Sequence, residues 1–126
     1  MLVQDAREGL ARLGRVLPNL RKRSGLEGPI DDAYFGRFAF VLPTGVARDA
    51  AVGRWAEVEM KRSMADWRAI FRGDVITVRD TDVTPEFAAK HHLVLWGDPG
   101  SNKVLARLLG RLPLKWTGSE LALGSV

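Results

Sequence analysis

At 126 residues, with 46% hydrophobic and 8% aromatic side chains, the chain has the size and apolar content of one domain around one core. It contains no cysteine, which excludes disulfides, thiolate nucleophiles and cysteine-ligated zinc, and no apolar run approaches the roughly 20 residues a membrane helix needs. The net charge of +4 is mild and comes without a basic stripe interleaved with aromatics, so neither a nucleic-acid nor a membrane partner is expected.

In chain order, residues 4–17 place Ala6, Leu10, Leu13 and Leu17 on one face, which predicts an amphipathic helix ending before Pro18 and weakened by Gly9 and Gly14. Asp5 and Glu8 among the arginines, and the lack of a long apolar centre, argue against a secretory signal and set the expectation of a cytoplasmic protein. Arg12, Arg15, Arg21, Lys22 and Arg23 read as a solvated basic arm, so residues 1–24 form a helix and arm, and 25–126 the sheet and helices of a single α/β domain. Ser24–Pro29 reads as a loop and Ile30–Tyr34 as a short helical turn. Phe38–Leu42 is aromatic and β-branched enough for a strand, which Pro43, Thr44 and Gly45 terminate.

Asp49–Phe71 contains no proline, one glycine, and a large apolar stripe of Val52, Trp55, Met60, Met64, Trp67 and Phe71 at near-helical spacing. It predicts the longest helix, with the stripe in the core and Gly73 as a left-handed cap after Arg72. Asp74–Val78 predicts a second strand. Thr84 caps a short helix with Pro85 at its first position, ending near His91, and Leu93–Trp96 is the third strand. A helix follows from about Val104, with Leu105, Leu108, Leu109 and Leu112 apolar, and the chain finishes with a short strand or a β-hairpin around Thr117–Gly118. This alternation predicts a three-layer Rossmann-like α/β sandwich with a small, mostly parallel sheet of three or four strands.

The segment Gly97-Asp98-Pro99-Gly100-Ser101-Asn102-Lys103 joins the third strand to the last helix, with Ser101 or Asn102 able to cap. Amides at such a helix start attract anions, and ligands of open α/β sheets bind outside the carboxyl ends of strands. With Phe38–Leu42 and Leu93–Trp96 side by side, Thr44, Gly45, Gly97, Gly100, Asn102 and Lys103, beside Pro43, are expected to line one crevice for a small anionic or ester ligand. The catalytic hypothesis takes Ser101 or a water at the helix start as nucleophile, His92 or His91 as general base and Asp98 as orienting acid, with the N–H groups after Gly100 as an oxyanion or phosphate hole. Its weak point is geometric, since the histidines precede the strand and Ser101 follows it. The acidic pairs Asp31–Asp32 and Asp80–Asp82 read as turn and capping residues rather than metal ligands. Neither a Walker pattern nor G-x-G-x-x-G is present, and no metal or cofactor is expected.

GLEGPIDDAYFGRFAFVLPTG (Gly25–Gly45), WRAIFRGDV (Trp67–Val75) and DTDVTPEFAAKHHLVLWGDPGSNKVLARLLGRLPLKW (Asp80–Trp116) together resemble the region C-terminal to the hydrolase domain in bacterial prolyl-oligopeptidase-like, esterase-like multidomain proteins. The resemblance spans roughly Lys22–Leu123 and implies that the nucleophile, its G-x-S-x-G turn and the triad histidine belong to an upstream domain. This sequence has no G-x-S-x-G, so no catalytic residue carries over. Relatives continue with further strands past Leu123, which implies an open sheet edge and a homodimer. Two functions are therefore expected: a small hydrolase-like domain cleaving an ester or phosphoester, or a non-catalytic accessory or self-association domain.

Overall fold

The computed structural model describes residues 28–124. The expected amphipathic helix over residues 4–17 and the basic arm lie outside the described residues. The chain divides between Asp32 and Ala33, and the unit from Ala33 onward carries all the strands and α-helices described.

A 3-10 turn, Ile30–Tyr34, precedes strand β1, Phe38–Leu42. Helix α1 runs Ala50–Phe71, β2 Ile76–Arg79, α2 Pro85–Lys90, β3 His92–Leu95 and α3 Lys103–Leu108. A second 3-10 turn, Leu109–Arg111, leads into the hairpin of β4, Leu114–Trp116, and β5, Leu121–Leu123. The first three strands form one parallel sheet in the order β2-β1-β3, and β4 and β5 pair antiparallel as a separate sheet. The fold is thus a small α/β sandwich on three parallel strands, with the hairpin in place of a fourth sheet strand. The second strand lies one to two residues later than its apolar residues suggest, at Ile76–Arg79 in place of Asp74–Val78.

The chain leaves β1 for β2 and then crosses back over β1 to reach β3, so the connections diverge between β1 and β3. Register aligns Ala39 with Ile76 and Leu93, and Val41 with Val78 and Leu95, so the strands end on one rim. Strand β1 is buried on both faces, as its unbroken apolar run requires. Phe38 and Phe40 project to one face, where Met60, Met64, Trp67, Val94 and Trp96 pack on them. Trp67 meets Phe38 edge-on at 4.7 Å between ring centroids, an arrangement that adds about 0.5–1.5 kcal/mol to simple burial.

Helix α1 begins where Asp49 accepts from the N–H groups of Ala51 and Val52. Its stripe is only partly core. Met60, Met64 and Trp67 pack inward, whereas Trp55 is 64% exposed and Val52 and Phe71 are also mostly in solvent. At about 100° per residue, Trp55 points more than a third of a turn away from the sector shared by Met60, Met64 and Trp67. Phe71 lies in that sector but past the sheet, where it stacks on Trp67 at 4.2 Å. The left-handed cap residue is Arg72, at φ 60°, and not Gly73. Among the described residues no helix is long and apolar enough to cross a membrane.

Candidate functional site

The loops after β1, β2 and β3 meet at the carboxyl rim of the sheet, and the third of them is built on Asn102. Its side chain is fully buried and makes four hydrogen bonds. Its amide Nδ2 donates to the carbonyls of Val41 at 3.3 Å and Trp96 at 2.8 Å, clasping the ends of β1 and β3. Its Oδ1 accepts from the N–H groups of Val104 and Leu105 and so caps α3. Of the two cap candidates in the sequence, Asn102 is the one used.

Asp98 organises the turn before it. One carboxylate oxygen accepts from the N–H groups of Gly100 and Ser101, each at 2.8 Å, and the other from the N–H of Arg48 at 2.8 Å, in the loop after β1. Burial alone would raise the Asp98 carboxyl, but donation from Arg48, Ser101 and Gly100 outweighs it and holds the group below the ordinary aspartate value. Ser101 is 4% exposed; its hydroxyl accepts from the Asp98 N–H at 2.9 Å and lies 3.2 Å from the Asp98 carbonyl, to which it donates.

Asp80, following β2, completes the set. Its Oδ2 accepts from the N–H of Lys103 at 2.7 Å, the first residue of α3. Its fully buried Oδ1 makes no conventional hydrogen bond, although the Thr44 hydroxyl and N–H lie near enough to favour its charge. Burial raises this carboxyl too, and the Lys103 N–H together with Thr44 brings it below the ordinary value. Asp80 thus serves the first amide of a helix whose cap is Asn102, 23 residues away along the chain.

Every amide from Gly100 to Leu105 is thus engaged within the protein: Gly100 and Ser101 by Asp98, Asn102 by the Asp98 carbonyl, Lys103 by Asp80, Val104 and Leu105 by Asn102. The anion expected at this helix start is supplied by the chain's own carboxylates. Thr44 and Gly45 do reach the same rim: the Gly45 N–H donates to the Ser101 carbonyl at 2.8 Å, and a Cβ on Gly45 would stand 2.8 Å from the Gly100 carbonyl oxygen. Gly97, at φ 98°, is packed against Pro43 and the Ser101 hydroxyl. Thr44, Gly45, Gly97, Asp98, Gly100, Ser101, Asn102 and Lys103 are therefore brought together.

The histidines are not. His92 opens β3 opposite Phe38, at the amino end of the sheet, with its Nδ1 3.0 Å from the Ala33 carbonyl. His91 caps α2, with Nδ1 2.9 Å from the Phe87 carbonyl and its ring stacked on Phe87. A carbonyl only accepts, so Nδ1 carries the proton in both. No base is delivered to Ser101 by either. Among the described residues, no group of three or more His, Cys, Asp or Glu side chains is placed to hold a metal ion.

Beside the clasped loops lies an open crevice of about 580 Å³ between the strand ends and the first half of α1, lined by Leu42, Pro43, Val46, Ala47, Met60 and Trp96 among others. Gly45, Gly97 and Ser101 also line it. The sequence marks this position through the strand-end turns, but the contribution of α1 is hidden there, because Met60 reads simply as core. No protein-family model, no curated protein and no solved structure matches the chain.

Proposed function

We propose that the chain is a non-catalytic accessory domain, which binds at its strand-end rim and does not transform what it binds. One observation carries this: the amides from Gly100 to Leu105 and the Ser101 hydroxyl are all engaged by Asp98, Asp80 and Asn102, so an oxyanion at this helix start finds neither an unpaired amide nor an activated nucleophile. The resemblance to a region lying beside an esterase-like hydrolase, and not to the hydrolase, supports the same reading. The purified protein is expected to give no turnover above buffer with chromogenic carboxylate esters and phosphoesters. Turnover by the wild type that disappears in a folded Ser101→Ala variant would restore the hydrolase reading.

Self-association is the form of accessory role that the surface favours. Trp55, Ile70, Phe71 and, on the edge strand β2, Ile76 are all exposed, and large apolar side chains in solvent beside an unpaired sheet edge suit burial against a second copy. Light scattering is expected to return about twice the chain mass of 13.9 kDa. A monomer mass at high micromolar concentration would remove self-association and leave the binding role.

A further inference from the structure

We infer that β2 pairs through its free edge with β2 of a second copy, antiparallel and with Thr77 of each chain on the two-fold axis, to give one continuous sheet in the order β3-β1-β2-β2-β1-β3. The inference rests on the self-association reading and names the surface and register through which it occurs. Among the described residues β2 has β1 on one side and no strand on the other. The Asp80 N–H donates to the Leu42 carbonyl at 2.9 Å. Backbone groups along a parallel strand alternate in direction, so Ile76 and Val78 also turn theirs to β1, while Val75, Thr77 and Arg79 turn theirs outward. Among the described residues the outward groups of Val75 and Thr77 and the Arg79 N–H have no hydrogen-bond partner. The Arg79 carbonyl accepts from the Asp82 N–H at 2.9 Å and keeps a second lone pair.

The edge is open to a neighbour and complementary to itself. Met60, Met64 and Trp67 of α1 share their apolar cluster with Val94 and Trp96 on the β3 side, and Thr77 stays exposed. The strand's one charge, Arg79, leans onto Asp82 of its own turn at 3.6 Å. With Thr77 opposite Thr77, the two exchange N–H···O bonds and Arg79 faces Val75, while on the other face of the sheet Ile76 of each copy, 45% exposed alone, meets Val78 of the other. Other registers are worse. Moving the axis to Ile76 sets Asp74 against Val78, and moving it to Val78 sets Asp80 against Ile76, a carboxylate against an apolar side chain each time. With the axis at Thr77 these two acids oppose each other only beyond the strand, where Asp74 is already paired with Arg68 and Asp80 with the Lys103 amide. Because the copies run antiparallel, their strand-end rims open at opposite ends of the joined sheet.

Light scattering on Thr77→Pro tests the pairing. Proline removes an N–H that bonds nothing within one copy and is tolerated on edge strands, so the variant is expected to keep the wild-type circular dichroism. Its dimer is expected to weaken about a hundredfold, since each copy loses a bond and presents a ring to the facing strand. The chain has no cysteine, so Thr77→Cys gives a second, independent measurement. Hydrogen-bonded antiparallel neighbours stand about 5.5 Å apart at Cα, within disulfide reach. Mild oxidation is therefore expected to yield a covalent dimer from Thr77→Cys and not from Lys61→Cys, on the exposed surface of α1. A wild-type dimer that persists in folded Thr77→Pro, or that gives no selective cross-link in Thr77→Cys, would overturn the edge pairing and leave self-association standing. If Thr77→Pro does not fold, the cross-link decides. A wild-type monomer at high micromolar concentration would instead remove self-association itself, and the edge pairing with it.

Discussion

Asn102 has two jobs that substitution can separate. Aspartate caps a helix as well as asparagine does, so Asn102→Asp keeps the bonds from Val104 and Leu105 but replaces the donor to Val41 and Trp96 with an acceptor facing two carbonyls. Removing a buried donor costs about 1–3 kcal/mol, and the uncompensated charge adds to it. Chemical denaturation of Asn102→Asp should show a loss of at least about 2 kcal/mol, larger than that of Thr84→Ala, whose single capping bond to Phe87 on exposed α2 is worth about 1 kcal/mol. The carboxylates of Asp98 and Asp80 make a second residue-scale prediction. Both are held below the ordinary value of 3.8 in the fold, so unfolding takes up protons in acid. Their contribution is fully present above about pH 4 and is lost as pH falls through the lower, folded values. Thermal midpoints measured from pH 7 downward should hold until about pH 4 and then drop, and Asp98→Asn should flatten the drop while lowering the neutral midpoint.

At the level of elements, the strands and helix starts are legible because each is announced by local chemistry: an unbroken FAFVL for a strand buried on both faces, Thr84-Pro85 for α2, Asp49 for α1. The inward face of α1 is legible only in part, since Val52 and Trp55 fit a loose helical count yet miss the sector that meets the sheet. The site is legible as a place and not as a mechanism. That Asp98 serves Arg48 across 50 residues, and Asp80 serves Lys103 across 23, depends on which loops become neighbours, and no local pattern states it. Gly45 is informative in the same way. It reads as a turn residue, but it is required because the backbone of Gly100 and Ser101 comes within 3.1 Å of where its Cβ would be. Gly45→Ala must push two loops apart and should cost more than about 1 kcal/mol in denaturation, whereas Gly73→Ala, with open space around it, should cost little.

Across the whole molecule, parallel alternation follows from the order of elements, and the placing of β1 beside β3 follows from the strand-end turns that share a rim. What the alternation does not disclose is that the last strands leave the sheet to form their own hairpin, tied to the rim by Arg48, which donates to the Trp116 carbonyl at 3.2 Å. Strand β1 is the centre of the sheet and the first of its strands in the chain, and each of its neighbours lies well downstream. During synthesis this most apolar of segments leaves the ribosome with nothing to pair with, and it stays so while α1 is being made. A nascent chain halted before β2 therefore offers a naked hydrophobic ribbon to holding chaperones, and one halted after β3 no longer does.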